Sequence, residues 1–280
     1  MEEKITQGQS SDATAENISA EDLRAIEIAY GQLESLTLAS RLTGMLGRRI
    51  ESAGMLIPDA PRRLAGRATN RALEAAMKTA LRSLRDTGLP ASRDIHRMSA
   101  TATGAVGGAF GLASLPVELP ISTILLLRAI ADIARHEGED LSHPETALAC
   151  MQVFALGGRS PDDDFVDASY FAVRALLART ISDAARYIGS TAIINESAPV
   201  LMRLMSEIAA RFGIVVTQKL AAQTIPLIGA AGGAMVNYAF MAHFQALAHG
   251  HFTIRRLERK YGQSAVRAAY NKIQHSVLER

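Results

Sequence analysis

Apolar residues recur along most of the chain at spacings of three and four, which is the period of an amphipathic helix. Near the N-terminus Ser19 is followed by "AEDL", a pattern typical of an N-cap with acidic residues in the first helical turn. Leu23, Ile26, Tyr30 and Leu33 then continue at helical spacing. A first helix is therefore predicted from residue 20 onwards.

The same pattern predicts helices over 37–53, 61–85, 121–138, 144–156, 165–187, 198–212, 214–223 and 230–260. "LPVELP" before the helix at 121 and Gly262 after the last helix read as breaks. No run of Val, Ile and Thr alternates with period two. We therefore expect an all-α fold, with a disordered polar tail over 1–18 and one multi-helix bundle over 19–280.

Two apolar segments carry a doubled glycine, "GAVGGAF" at 104–110 and "GAAGGAM" at 229–235. The helix ends "HEG" and "KYG" follow them after 34 and 33 residues, which indicates two similar units. Small residues at i and i+4 let a partner helix approach closely, so we expect these to be central packing helices. A phosphate-binding loop and a stripe inserted in a membrane are the alternatives. The glycines concerned are Gly104, Gly107, Gly108, Gly111, Gly229 and Gly233.

The segments 98–117 and 220–254 contain no Asp, Glu, Lys or Arg. A helix that spans a membrane needs about 20 apolar residues, so both segments are candidates for insertion into a membrane. The second segment also carries Asn237, His243, Gln245, His249 and His251, which are expensive to place in lipid. Burial in a helical bundle is the favoured interpretation, with membrane insertion and a lipid-lined cavity left open.

The amino-acid composition indicates what the core consists of and which partners and bonds to expect. Residues of the hydrophobic class make up 48% of the chain but aromatic residues only 5%, and Trp is absent, so the core is expected to consist of Ala, Leu, Ile, Val and Met. The net charge of +2 gives no reason to expect nucleic acid as a partner. The single cysteine, Cys150, excludes an intramolecular disulfide and fits a reducing cytoplasm. The N-terminus has no secretory h-region.

Charge is distributed unevenly along the chain. Residues 61–97 hold nine Arg or Lys against three acids, whereas residues 137–168 hold eight acids and one Arg. A basic amphipathic helix can bind an anionic lipid surface or an acidic partner, and a solvated outer face is the alternative. We therefore expect contact with anionic membrane lipid or a membrane protein complex through one face of that helix, comprising Arg67, Arg71, Lys78, Arg82 and Arg85.

Candidate chemistry is sparse. Glu118 and Arg128 lie in apolar surroundings and are expected to pair, with Asp132 four residues after Arg128 able to share it. Asn237 and His251 fall on one face of the last predicted helix and could line the same polar pocket. No metal or cofactor motif is present, so neither is expected. Asp162, Asp163 and Asp164 are interpreted as helix caps, and Cys150 as a buried small hydrophobic residue.

Three stretches of the chain resemble the EcsC family of bacterial proteins. They are "TGAVGGAFGLASLPVELPISTILLLRAIADIARHEGEDL", "QVFALGG" and "IPLIGAAGGAMVNYAFMAHFQALAHGHFTIRRLERKYG", and the likeness covers residues 60–270. The family takes its name from a protein encoded beside an ABC transporter linked to secretion. Its biochemical activity is not established, so the resemblance implies an association with membrane complexes and supplies no catalytic residues.

Three functional hypotheses follow. The first is a non-enzymatic protein at the inner face of the cell membrane that binds lipid or assists a transporter or secretion system. The second is a hydrolase acting on lipid or peptide, with a pocket around Glu118, Arg128, Asn237 and His251. The third is an oligomeric scaffold whose glycine stripes pack between subunits. The sequence gives no oligomeric state.

Overall fold

The computed structural model describes residues 18–34, 38, 41, 42, 44, 59–84, 115–158, 169–191, 193–223 and 229–279. Eight helices and no strands lie within these ranges, so the predicted all-α fold is confirmed. The helices are α1 (Ala20–Glu34), α2 (Asp59–Ser83), α3 (Leu115–His136), α4 (Pro144–Leu156), α5 (Tyr170–Ser190), α6 (Pro199–Gln223), α7 (Gly229–Tyr261) and α8 (Gln263–Leu278).

Several helix boundaries agree with the sequence pattern. Ser19 caps α1, where its hydroxyl accepts a hydrogen bond from the Asp22 backbone N–H at 3.2 Å. Helix α7 ends one residue before Gly262, whose φ of 86° favours glycine and turns the chain into α8. Of the predicted helix over 37–53, the described residues are 38, 41, 42 and 44, and all are helical. Of the predicted tail, Ile18 is described and is buried.

Other predicted boundaries were wrong. Helix α3 begins at Leu115 and passes through Pro120: Pro116 in the first turn needs no backbone donor, whereas Pro120 omits one hydrogen bond without ending the helix. Residues 199–223 form one continuous helix rather than two. Helix α5 begins at Tyr170, where the Ser169 hydroxyl accepts from the Ala172 N–H, and Asp162–Asp164 lie outside the described residues. Helix α8 was not predicted.

The helix buried on all sides is α4. Every residue from Thr146 to Leu156 is buried, so this helix occupies the interior of the bundle as an element that is apolar all round. Phe154 from α4 packs edge-on against Phe212 of α6, with ring centroids 5.1 Å apart, and also contacts Phe244 of α7. A second aromatic cluster joins Tyr170 and Phe171 of α5 to Tyr270 of α8.

Helices α3 and α7 pack side by side and run in the same direction. Near their N-terminal ends Asn237 interacts with the Glu118 carboxyl group. At their C-terminal ends Nε of Arg256 lies 2.7 Å from Glu137. Each helix is followed by a glycine with positive φ, Gly138 and Gly262. The two helices that the sequence assigned to similar units therefore lie in parallel.

The glycine stripes are only partly visible. Gly104, Gly107, Gly108 and Gly111 lie outside the described residues, while Gly229 and Gly233 belong to the first turns of α7 and Gly233 is buried. A close approach that requires glycine occurs further along α7. A Cβ atom at Gly250 would lie 2.7 Å from Cγ of Leu33 and 3.1 Å from the Ala29 carbonyl oxygen. Glycine therefore lets α1 pack directly on α7.

The charge-free segment 220–254 extends from the end of α6 into α7, and residues 224–228 are outside the described part. Helix α7 buries Phe240, Phe244 and Phe252 while exposing Tyr238, Gln245 and His249. No helix in the described part of the chain is long and apolar enough to cross a membrane. The apolar face of α7 is instead used within the bundle.

Candidate functional site

A buried ion pair joins α3 to α6. Nζ of Lys219 lies 2.8 Å from Oε1 of Glu118, and both side chains are almost completely removed from solvent. The Lys219 ammonium also lies over the ring of Phe240, 4.6 Å from its centroid. The sequence places Glu118 in the first turn of α3, where the helix dipole favours a negative charge. The negative charge of Glu118 is therefore stabilised both by the Lys219 ammonium and by the N-terminus of α3.

Two amide side chains border this pair. Gln223 from the end of α6 and Asn237 from α7 both help to lower the pKa of Glu118. Neither makes a hydrogen bond of good geometry to Oε2 of Glu118, which has no such partner among the described residues. Oδ1 of Asn237 and Oε1 of Gln223 are likewise without a partner there. The group is polar, buried and incompletely hydrogen-bonded.

Burial and charge act against each other in this group. Burial raises the pKa of Glu118, but the charge and hydrogen bond of Lys219, together with Asn237 and Gln223, outweigh it and hold that pKa below its usual value. Burial lowers the pKa of Lys219, and the Glu118 carboxylate only partly compensates. The Glu118 carboxylate and Lys219 therefore depend on each other for their charged forms.

A second buried group surrounds His251. The Tyr170 hydroxyl lies 3.0 Å from Nδ1 of His251 and accepts a hydrogen bond from Nη1 of Arg174 at 3.1 Å. Because the hydroxyl oxygen accepts from Arg174, its own hydrogen is available to Nδ1. Arg174 makes two parallel hydrogen bonds to the Glu258 carboxylate, at 2.8 and 2.9 Å. The group ties α5 to the C-terminal half of α7.

The environment keeps His251 neutral. Burial lowers the pKa of His251 well below its usual value, and the nearby Arg174 and Arg255 lower it further. Burial also raises the pKa of the Tyr170 hydroxyl, so this group stays protonated. Nε2 of His251 has no hydrogen-bond partner among the described residues. Tyr170 and His251 are buried, and the Arg174–Glu258 end of this hydrogen-bond network is partly exposed.

The four residues of the predicted hydrolase pocket do not come together. Asn237 and His251 lie 14 positions apart on one helix, which corresponds to about 21 Å along its axis. Arg128 is exposed on α3, and Glu118 pairs with Lys219 instead, so the expected Glu118–Arg128 pair was wrong. Asp132, expected to share Arg128, lies 3.4 Å from Arg135. Only Glu118 and Asn237 belong to the same site.

Other reactive side chains are also buried. Cys150 is buried, which confirms its interpretation as a buried small residue, and burial raises the pKa of its thiol to about 12. Burial lowers the pKa of His243 to about 3, and Arg41 acts in the same direction. In the described ranges, no group of three or more His, Cys, Asp or Glu side chains could hold a metal ion. The Cys150 thiol is therefore neither accessible nor ionised at neutral pH.

The accessible feature is the outer face of α2. Five basic side chains fall within about a third of the helix circumference and are all exposed. They extend over 19 positions, which is about 28 Å of helix. The opposite face, including Ala68, Ala72, Leu73 and Met77, is buried in the bundle. We call the exposed set the basic stripe: Arg63, Arg67, Arg71, Lys78 and Arg82. The predicted member Arg85 lies outside the described residues.

Two acids of the acidic segment 137–168 pair with arginines of α7, while its four aspartates over 162–167 lie outside the described residues. Glu139 is buried and accepts two hydrogen bonds from Arg255, at 2.8 and 3.0 Å, and a third from Arg259. Arg256 pairs with Glu137. Burial raises the pKa of Glu139, but the hydrogen bonds and charges of Arg255 and Arg259 outweigh it, leaving that pKa below its usual value. These acids fasten the α3–α4 connection to α7.

Three side chains of these two groups were not predicted from the sequence. Lys219 is one basic residue in an otherwise apolar part of α6, a pattern that can signal a buried charge. Tyr170 and Arg174 are four positions apart on α5, which puts them on one face, but nothing in that spacing points to His251. Such contacts between distant segments follow from the tertiary fold.

Comparison with known proteins gives a family assignment. The model of the EcsC protein family matches residues 37–257, well over half of the chain, and the chain therefore belongs to this family. The match begins closer to the N-terminus than the resemblance over 60–270 suggested. No curated protein and no solved structure matches the chain.

Proposed function

We propose that this member of the EcsC family is a non-enzymatic peripheral membrane protein that binds anionic lipid surfaces through the basic stripe of α2. The proposal rests on one observation: helix α2 has an exposed basic face, while its apolar face is packed in the core of the bundle. Attachment of this kind at the inner face of the cell membrane would bring the protein close to membrane complexes, the setting that the family resemblance implies.

The packing of α2 specifies the mode of attachment. A free basic amphipathic helix enters the interface with its apolar side, but in this protein Leu73, Met77 and neighbouring apolar residues are already used in the core. Only the charged side remains available. The helix would therefore lie on the headgroups as part of an intact bundle, and attraction between Arg or Lys and anionic lipid would supply the binding energy.

The charge balance of α2 favours this interaction. The helix contains six Arg or Lys residues against Asp59 and Glu74. One of the basic residues, Lys78, pairs with Glu196 at 3.5 Å, with both side chains still exposed. Each basic residue close to an anionic surface contributes about 1 kcal/mol. A stripe of five would give weak, reversible binding that added salt reduces.

Vesicle co-sedimentation tests the proposal. The protein is expected to sediment with phosphatidylglycerol-containing vesicles at 50 mM salt, to remain in the supernatant with phosphatidylcholine vesicles, and to be released at 500 mM salt. Failure to bind phosphatidylglycerol vesicles at low salt would reject the proposed function. Binding that is equal on both lipids would also reject it, because the stripe acts through charge.

A further inference from the structure

The loop that joins α5 to α6 lies beside the basic stripe. Glu196 in this loop contacts Lys78 of the stripe at 3.5 Å. Three positions earlier, Ile193 is 81% exposed, the highest value among the exposed large hydrophobic residues in the described ranges. An isolated exposed Ile needs no explanation, but this one is next to a surface that fits an anionic membrane.

Residues 194–197 of this loop are fixed by hydrogen bonds and by packing. The Asn195 backbone N–H donates to the Tyr187 hydroxyl at 3.0 Å, and the Ser197 N–H donates to Oδ1 of Asn195 at 3.0 Å. Ile194 packs against the core on the inner side of the loop. Ile193 therefore lies directly before two residues that are fixed, with its side chain exposed to solvent.

Electrostatic attachment alone is weak, and stable attachment to a membrane usually combines a polybasic surface with an apolar group. We propose that Ile193 inserts into the lipid interface when the basic stripe binds an anionic membrane, so that the α5–α6 loop is the apolar anchor of the docking surface. This inference rests on the proposed function. It adds to that function the residue that enters the lipid and the orientation of the protein. In this orientation the C-terminal end of α2 and the α5–α6 loop both face the bilayer.

The absence of Trp from the chain makes a direct test possible. Ile193→Trp introduces a single fluorescent reporter at an exposed position, so the fold is expected to tolerate it. Leu176→Trp is the matched control, since Leu176 is 61% exposed on α5 and lies 14 positions before the helix end, about 21 Å along the axis. Both variants are mixed with phosphatidylglycerol vesicles whose acyl chains carry bromine, a quencher that acts at short range.

The Ile193→Trp emission is expected to shift to shorter wavelength and to be quenched by brominated lipid, while Leu176→Trp emission changes little. Ile193→Ser is expected to weaken vesicle binding about 10-fold, because one apolar side chain no longer enters the interface. Co-sedimentation without quenching of Ile193→Trp would overturn the insertion but leave the proposed function intact. Equal quenching of both variants would also overturn it. Loss of vesicle binding by the unmodified protein would remove both proposals.

Discussion

Lys219 and Glu118 form a buried ion pair at 2.8 Å although they are 101 positions apart in the sequence. Removing one partner of such a pair leaves an uncompensated charge in the core. Lys219→Met is therefore expected to lower the free energy of unfolding by about 3–5 kcal/mol, measured by urea denaturation. The double variant Glu118→Leu/Lys219→Met should recover most of that loss. A single variant as stable as the parent would contradict the described pairing.

The Tyr170 hydroxyl connects His251 to Arg174, and Tyr170→Phe removes only that oxygen. The change leaves Nδ1 of His251 without its partner and is expected to cost about 1–3 kcal/mol in unfolding free energy. Tyr238→Phe is the matched control, because Tyr238 is exposed and its hydroxyl can exchange hydrogen bonds with water. Thermal melts of both variants test the network, and equal melting temperatures would argue against it.

His243 makes stability depend on pH. Burial lowers its pKa to about 3 in the folded state, whereas in the unfolded chain it is near 6.5. Between these values the unfolded chain binds more protons, so the free energy of unfolding falls as pH falls, by up to about 1.4 kcal/mol per pH unit. Burial shifts the pKa of His251 in the same direction.

Urea denaturation at pH 7, 6 and 5 measures this dependence. His243→Gln is expected to reduce the loss of stability on acidification, because the buried titrating group is gone. His249→Gln serves as the control, since His249 is exposed on the same helix. If the two variants lose stability identically between pH 7 and 5, His243 does not titrate as described.

Gly250 and Gly213 give opposite predictions for the same substitution. Gly250→Ala would place Cβ 2.7 Å from Leu33 and 3.1 Å from the Ala29 carbonyl oxygen, so α1 must move and the protein is expected to lose about 1–3 kcal/mol. Gly213 lies inside α6 with nothing within 4 Å of the added atom. Gly213→Ala should raise stability by about 0.5–1 kcal/mol. The reverse order in denaturation would contradict the packing of α1 on α7.

The sequence pattern predicted features that lie within a single helix, such as its bounds and its charged face. The bounds of α7 followed from its apolar run and from Gly262, and the basic helix followed from its charge spacing, because both signals lie within one element. Helix α8 carries Ala265, Val266, Ala269 and Tyr270 on its buried side, so its helical period was present but was not recognised.

The partners of buried charges were not predictable in the same way. Arg128 is close to Glu118 in sequence, but it is exposed, and the ion pair is formed by Lys219 on another helix. Likewise Asn237 and His251 share a face of α7 but lie too far apart along it to form one pocket. Helical spacing determines which face a residue occupies, whereas the partner on that face depends on how the helices pack.

Membrane binding through the basic stripe is the central claim, and a comparison of two triple variants tests it most directly. Both variants replace three exposed basic residues by Gln and therefore have the same net charge. One changes Arg67, Arg71 and Arg82 in the stripe, and the other changes Arg24, Arg179 and Lys272 on α1, α5 and α8. The measured quantity is the partition coefficient on phosphatidylglycerol vesicles at low salt.

At about 1 kcal/mol per basic residue near the surface, the stripe variant is expected to bind roughly 100-fold more weakly than the unmodified protein. The control variant should lose much less, because its substituted residues lie outside the docking surface. An equal loss in the two variants would mean that overall charge rather than the stripe governs binding. Unchanged binding of the stripe variant would contradict the account outright.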